Sequence, residues 1–484
     1  MQRHSVTPVL LVALVAVAPP AFAQIGRRFP TEKKIVVDPL TGVRLSFLTT
    51  TAGGDSKIYP THPQWTADGK WLIFRSRRVP NQALAVQEET GDIVQVTESG
   101  YTGMLCVARK SMRLILTRRA VDRASDGGRA GSATPEESDT RSEPPNGVED
   151  ARPREPESDS PRGGAPNRSR GSVEIVAIDL ARVFADSQGH AMRPAATYEH
   201  VLGSIPADIG DAGDLALDAT EDVAYFRINR KTAARHLPAS TRIEGDFGPR
   251  HMGAGPTGIG SLDLTTGEVK VVVAVPFQIG HIQANPFVPG EIVFCWETGG
   301  KAPQRTWTVR SDGTGLRPLF PEAPFDWVTH EAVITKDEVA VAILGHRKPG
   351  TNDEWGPAGT REHPTGLGIV NLRTRELYVA GQTKSGSGLW HVHGSPDGRW
   401  AVGDDFDRNI TLIDRHTNET ILLSAGHKET AADHPHPTFS ADSTRIEIQS
   451  AMLSADGRSM NICVIPVPDE WLARKYAEGS PEAP

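Results

Sequence analysis

Seven times along this chain a polar turn, often Asp-Gly, is followed by an alternating strand of β-branched and aromatic residues, and few folds accept such a repeat. The copies are Pro63–Phe74, Val107–Leu116, Leu215–Phe226, Asn285–Phe294, Ala332–Ile343, Gly394–Val402 and Pro437–Ile448. Each is followed by a second strand pair with its own turn: Ala83–Val96, Val173–Val183, Ile259–Val273, Trp307–Leu319, Leu367–Val379, Ile410–Leu423 and Ile462 onward. Two hairpins per unit make a four-stranded antiparallel sheet. Sheets repeated at this period close radially, which removes most exposed edges. The pattern therefore predicts an all-β chain: a seven-bladed β-propeller with four-stranded antiparallel blades over residues 24–484. The last unit lacks a complete outer edge, so the early segment Lys34–Leu48 is expected to join it and fasten the ring. Helix signals are almost absent, Pro468–Lys475 being the best candidate.

Two segments stand outside the repeat. Residues 1–23 carry Arg3, an apolar run from Val9 to Val17 and Ala21-Phe22-Ala23 before Gln24, the pattern of a cleaved signal peptide, and they predict a periplasmic or secreted protein. From Ala120 to Gly171 there is no aromatic residue, Ile or Leu, so residues 120–171 read as a disordered insert within the propeller. Net charge is −8 and Lys and Arg form no basic cluster, which argues against a nucleic-acid partner. No segment after the signal is long and apolar enough for an integral membrane span. The three cysteines, Cys106, Cys295 and Cys463, are too few and scattered for a disulfide framework or a thiolate zinc site.

The histidines carry the functional signal. His62, His281, His330, His391, His434 and His436 all fall six to nine residues before the first turn of their repeats. The first strand of each blade lines the central channel, so residues at equivalent heights converge on the axis. In His434-Pro435-His436-Pro437 the alternation of an extended segment puts both rings on one face. Joined by His330 from another blade, they form a candidate metal site. Three imidazoles without a thiolate suit Mn²⁺, Zn²⁺, Fe²⁺ or Ni²⁺. His281 reads as a fourth ligand, a base or a core histidine. His391 and His393 are ambiguous in the same way. Neither a Gly-x-Ser-x-Gly elbow nor a phosphate loop appears, so a serine hydrolase would lack its nucleophile.

Over roughly Gly280 to Gln449 the chain resembles the oligogalacturonate lyases, metal-dependent polysaccharide lyases built on a seven-bladed propeller. The resemblance is carried by Gly280-His281, Phe294-Cys295-x-Glu297 with Arg305-x-Trp307, Asp312-Gly313-Thr314, Thr329-His330-Glu331, His391 before Asp397-Gly398, and His434-Pro435-His436-Pro437 leading into Phe439. It implies that His281 is the base that removes a C5 proton and that His330, His434 and His436 hold Mn²⁺. It also implies a uronic-acid oligosaccharide as substrate, cleaved by β-elimination to a 4,5-unsaturated product. Three departures stand out: Ala431 replaces a family Gln ligand, leaving water, His391 or Glu429 as substitutes; Ser56-Lys57 replaces a His-Arg pair; and the signal implies export.

Arg305, Lys57 and His391 are the candidate substrate-binding residues, the two cations as carboxylate clamps. The competing reading is a non-catalytic periplasmic propeller that binds or scaffolds, which would need no convergent histidines.

Overall fold

A computed structural model describes residues 24–120, 171–246, 252–298, 302–322, 326–346, 366–381 and 388–476. The signal peptide at 1–23 and all but the ends of the insert at 120–171 lie outside them.

Seven antiparallel sheets follow one another, five of four strands and two of five. Blades 2 to 6 each use consecutive strands, from Thr102–Val107 in blade 2 to Thr420–Ser424 in blade 6. Blade 7 is completed from the far end of the chain. Lys34–Val37 and Arg44–Phe47 form a hairpin that adds to Asn461–Pro466, with Ser46 opposite Val464 and Phe47 opposite Cys463. The expected closing segment is thus two strands rather than one. Arg28–Phe29 then adds an outer edge to blade 1.

Seven apolar clusters hold the ring, one in each seam between neighbouring sheets. The seam between blades 7 and 1, for example, packs Leu48, Ile462 and Val464 against Leu72 and Phe74. Because each sheet is covered on both faces, its central strands lose strict alternation. Leu72, Ile73 and Phe74 are all fully buried. Cys106, Cys295 and Cys463 are buried free thiols, Cys106 and Cys463 inside these seams and Cys295 beside His281 and Glu331.

The strand reading fails at Val173–Val183. The strand ends at Asp179, and Leu180–Gln188 is an α-helix whose first turn is capped by the Asp179 side chain accepting from Arg182 N at 3.0 Å. Leu180, Val183 and Phe184 form its buried face, and Phe184 stacks on Trp71 at 4.0 Å. A second helix, Arg230–His236, is capped by Asn229. The expected C-terminal helix is a single turn, Asp469–Leu472.

Candidate metal and acid-base centre

The histidines sit at the start of the innermost strands. His281 belongs to Ile279–Ala284 of blade 4 and His330 to Asp326–Val333 of blade 5, while His391 and the His434/His436 pair precede the inner strands of blades 6 and 7. Pairing with the next strand breaks between Gly280 and Gln283, and again between Thr329 and Ala332. His281 and His330 therefore lie in β-bulges, which turn a side chain away from the pleat. Both adopt φ of 51°, and His436 adopts 54°. A left-handed backbone costs a non-glycine residue about 1–2 kcal/mol, a cost the flanking ladders must offset to aim these rings. Gly280 is required for a different reason: a Cβ there would come within 2.9 Å of Glu297 Oε2.

Four imidazoles from three blades meet. The His391 ring stacks on His330 at 4.1 Å, lies 3.9 Å from His436 and 5.1 Å from His434, centroid to centroid. Their hydrogen bonds define which nitrogens are free. His330 Nδ1 is 2.6 Å from the Trp390 carbonyl, which can only accept, so Nδ1 carries the proton and Nε2 keeps its lone pair. His391 Nδ1 faces both Asp404 oxygens at 3.2 Å, with the same consequence. His434 Nδ1 and His436 Nε2 are buried without a close hydrogen bond, each facing a carboxylate at longer range, Asp404 at 3.7 Å and Asp433 at 3.4 Å.

Burial, reinforced for His330 by Arg305 and for His391 by the neighbouring rings, holds both well below the usual histidine range. Burial opposes charge on Asp404, but the His391 and His434 rings beside it hold its carboxyl well below the usual range. Neutral His330 and His391, the His434 and His436 rings beside them, and two ionised carboxylates, Asp404 and Asp433, the latter held down to about 2 against burial by His436, form a donor set that suits a divalent cation. The described residues also bring His391, Asp404 and His434 ligand atoms within 4.8 Å of one another.

His281 stands beside this cluster in a different environment. Its Nδ1 is 3.1 Å from Glu331 Oε1 and its Nε2 is 3.4 Å from Glu297 Oε2. Burial alone would depress its pKa, but Glu331 and then Glu297 overcome that and raise it. Arg305 lies behind, its Nε 3.2 Å from Glu331 Oε2. Against the cost of burial, Arg305 and His281 hold Glu331 down at about 2. Tyr59 covers the His281 ring at 5.0 Å and approaches His436 at 5.4 Å.

The structure thus gathers His281, His330, His391, His434 and His436, with Arg305 directly behind His281, its Nη2 3.5 Å from His281 Nδ1. Lys57 is enclosed, its ammonium 2.8 Å from Thr438 Oγ1 and 3.8 Å from Glu447, and it does not face the opening as a carboxylate clamp would. Arg305 is 2% exposed and committed to Glu331, so it too is positioned behind the surface. His62 points elsewhere in the channel, its Nε2 2.7 Å from the Leu215 carbonyl. Ala431 packs with Ala451 and Met460, and Glu429 is exposed, leaving His391 as the side chain that reaches the cluster. Asp404, Glu297 and Tyr59 were not singled out by the histidine spacing. Asp404 ends a buried strand, Trp400–Asp404, where an acid without a partner would be unstable, and that misfit was its signal.

No protein-family model matches the chain. A curated oligogalacturonate lyase of Dickeya dadantii (strain 3937) is 22% identical over 212 residues, 38% of this chain. The match spans about half, 50%, of that relative's length. Two solved structures share the fold. An oligogalacturonate lyase in complex with manganese superposes with a TM-score of 0.63 at 16% identity, covering 93% of this chain and 99% of the other. The oligogalacturonate lyase of Vibrio parahaemolyticus gives 0.63 at 17% identity, covering 93% and 100%.

Proposed function

From a chain that is a distant relative of the oligogalacturonate lyases and shares their seven-bladed fold, we propose an exported, metal-dependent lyase that cleaves uronic-acid oligosaccharides by β-elimination. The observation that carries the reading is the side-by-side arrangement of two unlike histidine environments: a cluster in which burial keeps His330 and His391 neutral next to His434 and His436, and one ring, His281, made more basic by two carboxylates. Elimination needs both. The C5 proton of a uronate is weakly acidic, and its removal places a second negative charge next to an ionised carboxylate.

His330, His391, His434 and His436 would hold the ion, with Asp404 orienting His391 through its Nδ1 and facing His434 Nδ1 at 3.7 Å. A divalent cation bound there, Mn²⁺ being the first candidate, supplies Lewis-acid stabilisation of the charge that develops at the substrate carboxylate.

The remaining work falls to this chain's own groups. His281 takes the C5 proton on Nε2, and Glu331 stabilises the resulting imidazolium through Nδ1–H. Arg305 fixes Glu331 in place and keeps it ionised. Bond cleavage expels the C4 oxygen and leaves a 4,5-unsaturated uronate at the new non-reducing end. Tyr59, partly exposed beside His281, offers a ring against which a sugar face can pack.

The test is a panel of oligouronides monitored in the near ultraviolet for the conjugated double bond. New absorbance that disappears with chelator and in His281→Ala supports the proposal. Absorbance unaffected by either change, or none with any uronide, rejects it. Export is tested separately by the N-terminus of the protein recovered from cells, expected at or near Gln24.

A further inference from the structure

The inner strands run from the histidine cluster to a second opening at the other end of the channel, and the cavity there is not used by the proposed chemistry. It measures about 400 Å³, within the size range of small-molecule sites, and is walled by Val107, Ala216, Ile334 and Phe439. Arg109, half-buried, lines it, with its guanidinium over the Phe287 ring at 4.6 Å. His393 lines another wall, pushed down to about 3 by burial, then by Lys57 and by Arg109 itself.

Arg109 is not paired with any of the carboxylates around this opening. Four carboxylates line it, and each is already engaged. Asp218 accepts from Tyr225 Oη and Gly290 N, Glu221 from Lys110 N and Ser111 Oγ, Asp68 from Thr66 Oγ1, and Asp442 pairs with Arg445. Arg109 is left with no carboxylate among the described residues, and burial lowers its pKa with no anion to oppose the shift. A partly desolvated guanidinium without a counter-ion is unfavourable unless something else supplies the charge. Phe287 covers one face of the group, and the N–H fork has no hydrogen-bond partner among the described residues. That fork matches a carboxylate in two parallel hydrogen bonds.

We propose that this opening is a second ligand site, for a small carboxylate of monosaccharide size bound by Arg109. The inference is independent of the lyase reading, since no residue of the histidine cluster takes part.

Calorimetric titration with sodium galacturonate, inorganic phosphate and glucose tests it. The protein carries His330→Ala and His434→Ala and is kept in chelator, so that the histidine cluster is silent. Galacturonate is expected to bind this background and to weaken by about tenfold or more when Arg109→Gln is added, with Arg109→Lys intermediate. Thermal melts by circular dichroism check that each variant is folded. Glucose should not bind. Equal galacturonate affinity with and without Arg109→Gln, no binding to the background at millimolar ligand, or Arg109-dependent phosphate binding tighter than galacturonate would each overturn the assignment.

Discussion

Glu331→Gln tests the acid-base half of the site, and its consequences separate into two readouts. Glu331 is 1% exposed and holds both Arg305 Nε at 3.2 Å and His281 Nδ1 at 3.1 Å. Removing one partner of a buried charge pair costs about 3–5 kcal/mol. The glutamine keeps a hydrogen-bond acceptor and Glu297 remains 3.8 Å from Arg305, so a value near the lower end, about 3 kcal/mol, is expected.

The sign of the pH dependence follows from the shifts. Glu331 has a lowered pKa, so its contribution is present above the ordinary value of 4.5 and is lost as pH falls toward about 2. His281 has a raised pKa, so its contribution is fully present below the ordinary 6.5 and is lost as pH rises through the raised value. The destabilisation, measured by urea unfolding, should therefore be largest between about pH 4.5 and 6.5 and smaller at pH 8. In the proposed reaction His281 must be neutral to accept a proton. Losing Glu331 lowers its pKa, so the acid limb of kcat/KM should move to lower pH while the plateau falls because the base is weaker. A stability loss independent of pH, together with an acid limb unmoved or shifted upward, would refute the assigned coupling.

Asp404→Asn should retain the fold and lose about 10- to 100-fold in divalent-metal affinity, because the carboxylate that orients His391 and faces His434 becomes neutral; metal retained after dialysis reads this out. Arg415→Ala should destabilise by about 3–5 kcal/mol in urea unfolding, since a 2% exposed guanidinium bridges blades 6 and 5 through Glu338 at 2.6 Å and Tyr378 Oη at 2.7 Å. Phe47→Ala removes a fully buried ring from the closing hairpin and should cost about 3–5 kcal/mol by the same measurement. Chelation should abolish product formation, and readdition of Mn²⁺ should restore it.

The architecture was legible because a blade is a local object. Each Asp-Gly turn and its strand announce one hairpin, and seven hairpin pairs close only in one way. The helix at Leu180–Gln188 was missed because the Val and Ile residues of Val173–Val183 read as a strand pair; Asp179 as a cap and the spacing of Leu180, Val183 and Phe184 were the contrary signals. For the site, counting back from the turn found the rings, since equal offsets in different blades mean equal heights on the axis. Counting could not show that Lys57 turns inward to Glu447, that Arg305 serves Glu331, or that Asp404 reaches His391 from the next strand of the blade. Those are pairings of buried charges, and which carboxylate meets which cation depends on sheet register rather than on sequence distance.

The central claim is that imidazoles from separate blades hold one divalent ion beside His281. Mn²⁺ titration of the metal-free protein followed by electron paramagnetic resonance tests it most directly. One ion per chain with nitrogen ligation, lost in His330→Ala and in His436→Ala and unchanged in its stoichiometry by His281→Ala, is the predicted result. Binding that survives both His330→Ala and His436→Ala, or no tight Mn²⁺ site in the intact protein, would contradict the account.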